Sequence, residues 1–287
     1  YITPRRVGED GWELSIKALI DNADCSHKAR FTLIDADGNE KASAIADLRP
    51  IISAKLPVED PVLWNGRKNP YLYTVRCEIF DSTTQEVTDN IDIRTGLREY
   101  HIDSHKGFFL NGKHIKLQGV SRHQDRENMG NAITEKQHAE DVKIILDVGA
   151  NSVRLAHYQQ NSYFYDLCDE SGLLVWAEVP VISRFSPKRN ENAEQQLVEL
   201  IKQNYNHPSI FCWGIENEIT IAGSASKKLI TFLKHMHKVA RHLDPTRYTT
   251  CAQLTMCPVN SPLNHITDIL GYNHYYGWYM GSCDEIN

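Results

Sequence analysis

A carboxylate next to an amide closes one apolar segment of the chain. The run 210–215 is followed by Glu216, Asn217 and Glu218. Such a run is typical of a buried strand, and the carboxyl ends of strands in a (β/α)8 barrel carry the catalytic groups. A buried Glu there can serve as a general acid, and the amide can bind a hydroxyl group. The alternative for Glu218 is an ordinary carboxylate at the start of a helix, and the pattern favours a structural role for Glu216.

Two earlier segments also pass from an apolar run to Arg and His. His123 follows Arg122, with Asp125 two residues further on, and Arg154 precedes His157 by three residues. Arg can keep a nearby carboxylate ionised, and His can donate to a hydroxyl. Surface loops, or a buried Arg that orders a loop, would explain each segment without a function. Their recurrence at several strand ends indicates an acid–base site for a polar, ring-shaped substrate.

The segment 273–279 is rich in aromatic residues and includes Tyr275 and Trp278. Aromatic side chains pack on the apolar faces of sugar rings, and a Tyr hydroxyl can orient a carboxylate. Packing of a barrel rim on a neighbouring domain is the alternative for these residues. Glu178, at the end of another apolar run, either pairs with Arg154 or is a loop charge.

Composition excludes several classes of protein. The chain has 287 residues, 41% of them hydrophobic and 24% charged, with a net charge of -6. This is a globular composition without the basic surface that nucleic acids require, and no apolar run is long enough to cross a membrane. The cysteines are scattered without Cys-x-x-Cys spacing, which favours a reducing, cytoplasmic location. No zinc motif or phosphate-binding loop is present, so neither a metal nor a nucleotide is predicted.

The chain divides into two parts with different patterns. Short alternating runs predict strands at 12–20, 29–34, 51–56, 72–80 and 90–93, which together suggest a β-sandwich. Further on, predicted strands and helices alternate. The strands are at 115–119, 152–154, 173–177, 210–215, 248–251 and 268–271, and the helices are at 134–148, 161–171, 193–205 and 224–243. Parallel strands require such crossovers, so this part is predicted to be a barrel or a doubly wound sheet.

Several stretches of the sequence resemble glycoside hydrolase family 2, and most closely its β-galactosidases. Residues 151–158 and 169–176 resemble one family signature, in which Gln159 replaces a usual Pro and Leu155 a usual small residue. Residues 206–218 resemble the second signature, which ends in the acid/base Glu. Four further segments agree with the family pattern, at Trp64 with 69–75, at 107–113, at 119–125 and at 273–279. Segment 119–125 favours galactosidase-like over glucuronidase-like members.

The resemblance implies an immunoglobulin-like β-sandwich over residues 1–100, followed by a (β/α)8 TIM barrel over 101–287 that stops after about the sixth strand. It also implies retaining hydrolysis of terminal β-D-galactosides. By this resemblance Glu218 is the general acid and then the general base, and Asn217 holds the sugar 2-hydroxyl. His123 and His157 bind the sugar or the developing charge, Arg154 supports the nucleophile, and Tyr275 lies beside it. Asp125 and Trp278 are expected among the substrate-binding residues.

Two departures from the family pattern limit these expectations. Segment 177–184 lacks the acidic and His residues that bind Mg2+ in some members, so no cofactor is predicted. The family's nucleophile is a Glu on the seventh strand, which would lie beyond residue 287. We therefore expect a homo-oligomeric parent enzyme acting on a β-galactoside or an oligosaccharide, and an isolated chain that is inactive. The alternatives are a β-glucuronidase, a β-mannosidase or a non-catalytic carbohydrate-binding module.

Overall fold

The first part of the chain forms two antiparallel sheets that face each other. The computed structural model describes residues 1–8, 11–23 and 26–286, so Cys25 lies outside the described residues. The strands are β1 (Ile2–Val7), β2 (Gly11–Leu19), β3 (His27–Ile34), β4 (Glu40–Asp47), β5 (Ile51–Val58), β6 (Tyr73–Asp81) and β7 (Val87–Thr95). One sheet has the order β1–β2–β5 and the other β4–β3–β6–β7. The predicted sandwich is confirmed, and β1 and β4 are additional strands.

Alternation along the strands builds the sandwich core. Successive side chains of a strand point to opposite faces, so Trp12, Leu14 and Ile16 of β2 are buried and the residues between them are not. Partners from the opposite sheet come mainly from β3 and β6. The inward residues include Trp12, Leu14, Ile16, Phe31, Leu33, Tyr73 and Val75. Strand β4 was missed because its sequence contains small Ala side chains where the other strands have large apolar ones.

A small antiparallel sheet lies between the sandwich and the barrel. It consists of β8 (Tyr100–Asp103), β9 (Gly107–Leu110) and β10 (Lys113–Ile115). The prediction of a first barrel strand at 115–119 was wrong, because Ile115 ends β10 of this sheet. Asn111 and Gly112 both have positive φ and join β9 to β10 in a tight hairpin. An Asn-Gly pair is a strong hairpin signal, and it decides the structure of this segment.

The second part of the chain is a curled sheet of six parallel strands in consecutive order. Its strands are β11 (Gly119–Arg122), β12 (Ser152–Leu155), β13 (Leu174–Glu178), β14 (Ile210–Asn217), β15 (Tyr248–Leu254) and β16 (Ile269–Asn273). The helices between them are α1 (Glu135–Asp147), α2 (Ser162–Ser171), α3 (Asn190–Asn204) and α4 (Lys227–Leu243). This consecutive parallel order confirms the predicted partial TIM barrel.

Helix α1 begins with a capping box. The Thr134 backbone N–H donates to the Gln137 side chain at 2.9 Å, as this motif requires. Val142 and Ile145 are buried, whereas Val148, which caps the helix, is 67% exposed. His138 lies on the same buried face, and its ring is hydrogen-bonded to Arg122 at 3.0 Å. The buried face of α1 therefore combines apolar side chains with one polar contact.

An apolar cluster joins the sandwich to the barrel. Trp64 is fully buried, and its indole N–H donates to the Asp169 carbonyl at 2.9 Å. The cluster consists of Trp64, Phe108, Leu110, Leu174, Phe211 and Cys212. Since Phe211 belongs to β14, the same contacts fix the beginning of the strand that carries the candidate acid. None of the helices in the described ranges has the length and apolarity needed to cross a bilayer.

Candidate active site

Strand β14 delivers its polar residues to the carboxyl end of the sheet. It is buried along its whole length, and Gly214 is required because a Cβ there would lie 2.6 Å from Trp176 Nε1. Glu218 has a left-handed φ of 47°, and its N–H donates to the Ala252 carbonyl at 2.8 Å. The chain therefore bends at Glu218, and the strand alternation ends there. As a result the Glu216 carboxyl faces β15 and that of Glu218 faces the end of β16.

Arg154 lies at the centre of a buried polar network. From β12, its Nε donates to Glu178 Oε1 at 2.5 Å. One terminal nitrogen donates to Asn273 Oδ1 at 2.8 Å and the other to Asn217 Oδ1 at 2.7 Å. The guanidinium also lies 4.4 Å from the centre of the Trp176 ring. Arg154 is thus paired with Glu178, and the whole network links the ends of the four strands β12, β13, β14 and β16.

The amide of Asn217 is held in one orientation. Its Oδ1 accepts hydrogen bonds from Arg154 at 2.7 Å and from Asn273 Nδ2 at 2.9 Å. Both hydrogen bonds end on the oxygen. The Nδ2 group of Asn217 donates to no acceptor among the described residues, so its N–H groups are available to a ligand. An oriented N–H donor next to a candidate acid is suited to a ligand hydroxyl.

The Glu218 carboxyl is bound on one side only. Its Oε1 accepts from Asn273 Nδ2 at 2.9 Å and from the Tyr275 hydroxyl. Burial, and then the hydrogen bond to Glu218, raise the pKa of Tyr275 to about 12, so the phenol remains a donor at neutral pH. Within the described ranges Oε2 has no hydrogen-bond partner. This oxygen is therefore available to exchange a proton with a ligand.

Two imidazoles lie at the same end of the sheet. His157 Nδ1 is 2.6 Å from Glu178 Oε2, which leaves Nε2 of this ring for other contacts. The rings of His157 and His123 are 5.4 Å apart, edge to face. Behind His123, the buried Arg122 pairs with Asp141 at 2.7 Å and thereby anchors the end of β11 to α1.

The structure brings together six of the eight predicted site residues. One hydrogen-bonded network includes Glu218, Asn217, Arg154, Tyr275 and His157, and His123 adjoins it by ring contact. Asp125 is exposed, and Trp278 is 78% exposed. Neither side chain forms a hydrogen bond or ion pair with this network in the part of the chain that the structure describes. Their predicted roles remain predictions.

Asn273 is a member of the network that was not predicted as a site residue. It is the last residue of β16 and contacts Arg154, Asn217 and Glu218 through its amide. The available signal was its position, since it is the polar residue that ends strand β16 and it precedes Tyr275 by two residues. Glu178 is the second network residue that was not predicted as a site residue. One of its carboxylate oxygens contacts Arg154 and the other contacts His157.

Another cluster of potential ligands lies at the opposite end of the sheet. Atoms of Asp166, Asp169 and His207 are within 4.8 Å of one another. However, His207 Nδ1 is 2.6 Å from Asp169 Oδ2, and Asp166 pairs with Arg94 of the sandwich at 2.8 Å. Since His207 precedes β14, this cluster lies near the amino end of that strand. Its contacts connect α2, β14 and the sandwich, and are separate from the candidate site.

Comparison with protein families identifies both parts of the chain. The model described as "Glycosyl hydrolases family 2" matches residues 1–98, and the model described as "Glycosyl hydrolases family 2, TIM barrel domain" matches residues 102–285. A β-glucuronidase of Bacteroides fragilis is 37% identical over 97% of this chain. A β-galactosidase of Thermoanaerobacter pseudethanolicus is 31% identical over 87% of the chain.

Solved structures give the same result. An FMN-binding β-glucuronidase from Facaelibacterium prausnitzii L2-6 matches 99% of this chain with a TM-score of 0.94 and 41% identity. A putative β-galactosidase from Bacteroides fragilis matches 97% of it with a TM-score of 0.90 and 37% identity. The chain spans 41% of the length of the Bacteroides β-glucuronidase and 44% of that of the FMN-binding one.

Proposed function

The chain belongs to glycosyl hydrolases family 2, and on that premise we propose that the full-length protein is a retaining exo-β-glycosidase in which Glu218 is the general acid and base. The observation that carries this proposal is the one-sided binding of the Glu218 carboxyl. Tyr275 and Asn273 donate to Oε1, and Oε2 has no partner among the described residues. Such a carboxyl is held in place while one oxygen stays available for proton transfer.

The remaining residues have roles that follow from their contacts. The free N–H of Asn217 is placed to donate to a hydroxyl of the reacting sugar. His157 and His123 offer ring nitrogens at the same end of the sheet. Arg154 carries a positive charge into the network and pairs directly with Glu178. Together these groups bind polar substituents around a sugar ring while Glu218 acts on its glycosidic oxygen.

The reaction proceeds in two steps. In the first, a carboxylate attacks the anomeric carbon while Glu218 gives its proton to the departing oxygen. In the second, Glu218 takes a proton from water, and the resulting hydroxide displaces the carboxylate with overall retention. This scheme requires a second carboxylate about 5–5.5 Å from Glu218. We propose that the full-length protein supplies it on the seventh barrel strand, as the family resemblance implies.

We propose a terminal β-glucuronide as the first candidate substrate. Relatives at 37% and 34% identity over nearly the whole chain are named as a β-glucuronidase and a putative β-glucuronidase. The structure with 41% identity is likewise titled a β-glucuronidase. A terminal β-galactoside is the second candidate. It is supported by the resemblance of segment 119–125 to galactosidase-like members and by the 31% identical β-galactosidase.

A panel of aryl glycosides separates these candidates. The full-length protein is assayed with nitrophenyl β-glucuronide, β-galactoside and β-mannoside, and the anomer of the first-formed sugar is followed by NMR. We expect kcat/KM to be highest for the glucuronide, with a β-configured first product. Preference for the galactoside would favour the second candidate, and an inverted product would exclude the retaining mechanism. A lack of turnover of every glycoside would refute the proposed function.

A further inference from the structure

A second carboxyl group lies at the end of β14 and has no role in the scheme above. Glu216 is only 1% exposed. It forms no ion pair within the described part of the chain. Its Oε1 accepts from Gln253 Nε2 at 3.0 Å and its Oε2 from the Ile219 backbone N–H at 3.2 Å. A buried carboxyl without a cationic partner is costly and therefore needs a physical explanation.

Glu216 forms a hydrogen bond that helps to fix the backbone of Glu218, the residue proposed as the acid. Glu218 adopts a left-handed φ, which is unfavourable for a residue with a side chain. On one side its N–H is bound by the Ala252 carbonyl at 2.8 Å. On the other side the next residue, Ile219, donates its N–H to Glu216. The bend at Glu218 is thus held between β15 and the buried carboxyl, and this bend directs the Glu218 side chain towards Tyr275 and Asn273.

The surroundings of Glu216 oppose its ionisation. Burial, together with the neighbouring Glu178 carboxylate on β13, raises the pKa of Glu216 to about 8, although the Ile219 N–H and Arg154 on β12 act in the opposite direction. Cys251 on β15 is the other titratable group facing it, and burial raises the pKa of that thiol to about 12. At neutral pH Glu216 is therefore mostly protonated.

The protonated form also suits its hydrogen-bonding partners. Gln253 Oε1 is a buried acceptor that has no donor in the described ranges. A carboxyl that keeps its proton brings a donor into this cluster, whereas a carboxylate adds only acceptors. Ionisation of Glu216 would place an unpaired charge directly behind the bend.

We propose that Glu216 is a positioning residue, which aligns the Glu218 carboxyl with the glycosidic oxygen through its buried hydrogen bonds to Ile219 and Gln253. This inference rests on the proposed function, because alignment matters only if Glu218 is the acid and base. Glu216 itself exchanges no proton with the substrate. Its effect is on the geometry of proton transfer, which departing groups of low acidity need most.

Leaving-group dependence tests this role. In the full-length protein, Glu216→Ala and Glu216→Gln are assayed with a dinitrophenyl glycoside and with a methyl glycoside of the preferred sugar. The dinitrophenolate departs with little acid assistance, whereas the methoxide requires it. We expect Glu216→Ala to lower kcat/KM for the methyl glycoside on the order of 10- to 100-fold more than for the dinitrophenyl glycoside. Glu216→Gln, which keeps an acceptor for Ile219, should recover most of this selective loss.

The pH dependence provides a second measurement. For the unchanged protein we expect kcat for the dinitrophenyl glycoside to fall above about pH 8, where Glu216 ionises and the second step still needs Glu218 as a base. Glu216→Gln cannot ionise and should lack this fall. Glu199→Ala is a matched control, because Glu199 is an exposed carboxylate on α3. It should change neither the leaving-group ratio nor the pH profile.

Each outcome is decisive. An equal loss with both substrates in Glu216→Ala would show general damage and overturn the inference. If that variant does not fold, a Glu216→Gln profile that coincides with the profile of the unchanged protein overturns it instead. No turnover of any glycoside by the unchanged protein refutes the proposed function and this inference together. Turnover without a selective loss refutes the inference alone.

Discussion

One arginine side chain lies beside each end of strand β14, Arg247 at the amino end and Arg154 at the carboxyl end. The two arginines differ in whether they bind main-chain or side-chain groups. At the amino end, Arg247 pairs with Asp244 at 2.7 Å. It also donates to the backbone carbonyls of Ile210, Tyr205 and His207 at 2.7–2.8 Å. At the carboxyl end, Arg154 binds side chains only, namely Glu178, Asn217 and Asn273.

This difference distinguishes a network that only stabilises the fold from one that we propose binds the substrate. The partners of Arg247 are mostly main-chain oxygens. Asp244, which forms the ion pair with Arg247, also accepts a hydrogen bond from the indole N–H of Trp213 at 3.0 Å. The network of Arg154 instead ends at Asn217 Nδ2 and Glu218 Oε2, which have no partner among the described residues. Polar atoms left without a protein partner at the carboxyl ends of the strands are available to a ligand.

The largest expected effect is at the functional end. Glu218→Gln in the full-length protein removes the proton donor and keeps the shape of the side chain. We expect kcat/KM for a methyl glycoside to fall by about 10²- to 10⁴-fold, because that is the usual contribution of general acid–base catalysis. The unfolding midpoint should change little, since Tyr275 and Asn273 can still donate to the amide oxygen. Unchanged turnover of the poor substrate would contradict the assignment of the acid and base.

At the structural end, the expected effect is on stability. Arg247→Met leaves the Asp244 carboxylate buried and unpaired, since its side chain is fully buried. Removing one partner of a buried ion pair typically costs about 3–5 kcal/mol of unfolding free energy. Denaturant unfolding of the full-length protein, followed by tryptophan fluorescence, measures this cost. We expect kcat of the molecules that remain folded to be unchanged, and a loss of kcat without a loss of stability would reverse the comparison.

The same end should also respond to acid. Although burial of the carboxyl acts in the opposite direction, Arg247 lowers the pKa of Asp244 to about 2, with help from hydrogen bonds of Thr246 and Trp213. Its ordinary value is about 3.9 in an unfolded chain, so the ionised form contributes about 2–3 kcal/mol to stability.

Because the pKa is lowered by folding, this contribution is present above about pH 4 and is lost as the pH falls towards about 2. The difference in unfolding free energy between the unchanged protein and Asp244→Asn should therefore shrink over that interval. Equilibrium unfolding at a series of pH values measures it. A difference that stays constant from pH 6 to pH 2 would show that Asp244 does not titrate as inferred.

The same contrast explains what could be predicted from the sequence. Five of the six parallel strands, β12 to β16, and the helices between the strands follow from periodicity. Glu218, Arg154 and His157 follow from their positions at strand ends. The bend at Glu218 could not be predicted, because it depends on contacts with Ala252 and Glu216 that form only when β15 lies alongside β14. Strand alternation alone would have placed Glu216 and Glu218 on the same side.

The missed parts have similar causes. Asn273 was not predicted because its role depends on reaching Arg154, which is distant in sequence and brought near only by the curvature of the sheet. His138 on the buried face of α1 likewise depends on Arg122. In both cases the position of a polar residue is set by a contact with a residue that is distant in sequence. Each contact involves the last residue of a barrel strand, Asn273 of β16 or Arg122 of β11.

The smallest effect expected at the functional end concerns Tyr275, whose hydroxyl donates to Glu218 Oε1. Tyr275→Phe removes this donor while Asn273 Nδ2 remains bound to the same oxygen at 2.9 Å. A single hydrogen bond contributes about 1 kcal/mol, so we expect a loss of about fivefold in kcat/KM. Tyr276→Phe is the matched control, because Tyr276 is next to Tyr275 in the sequence and its ring is exposed. We expect this substitution to leave kcat/KM unchanged. Equal losses in the two variants would mean that the aromatic segment acts by packing, and that Asn273 alone positions the Glu218 carboxyl.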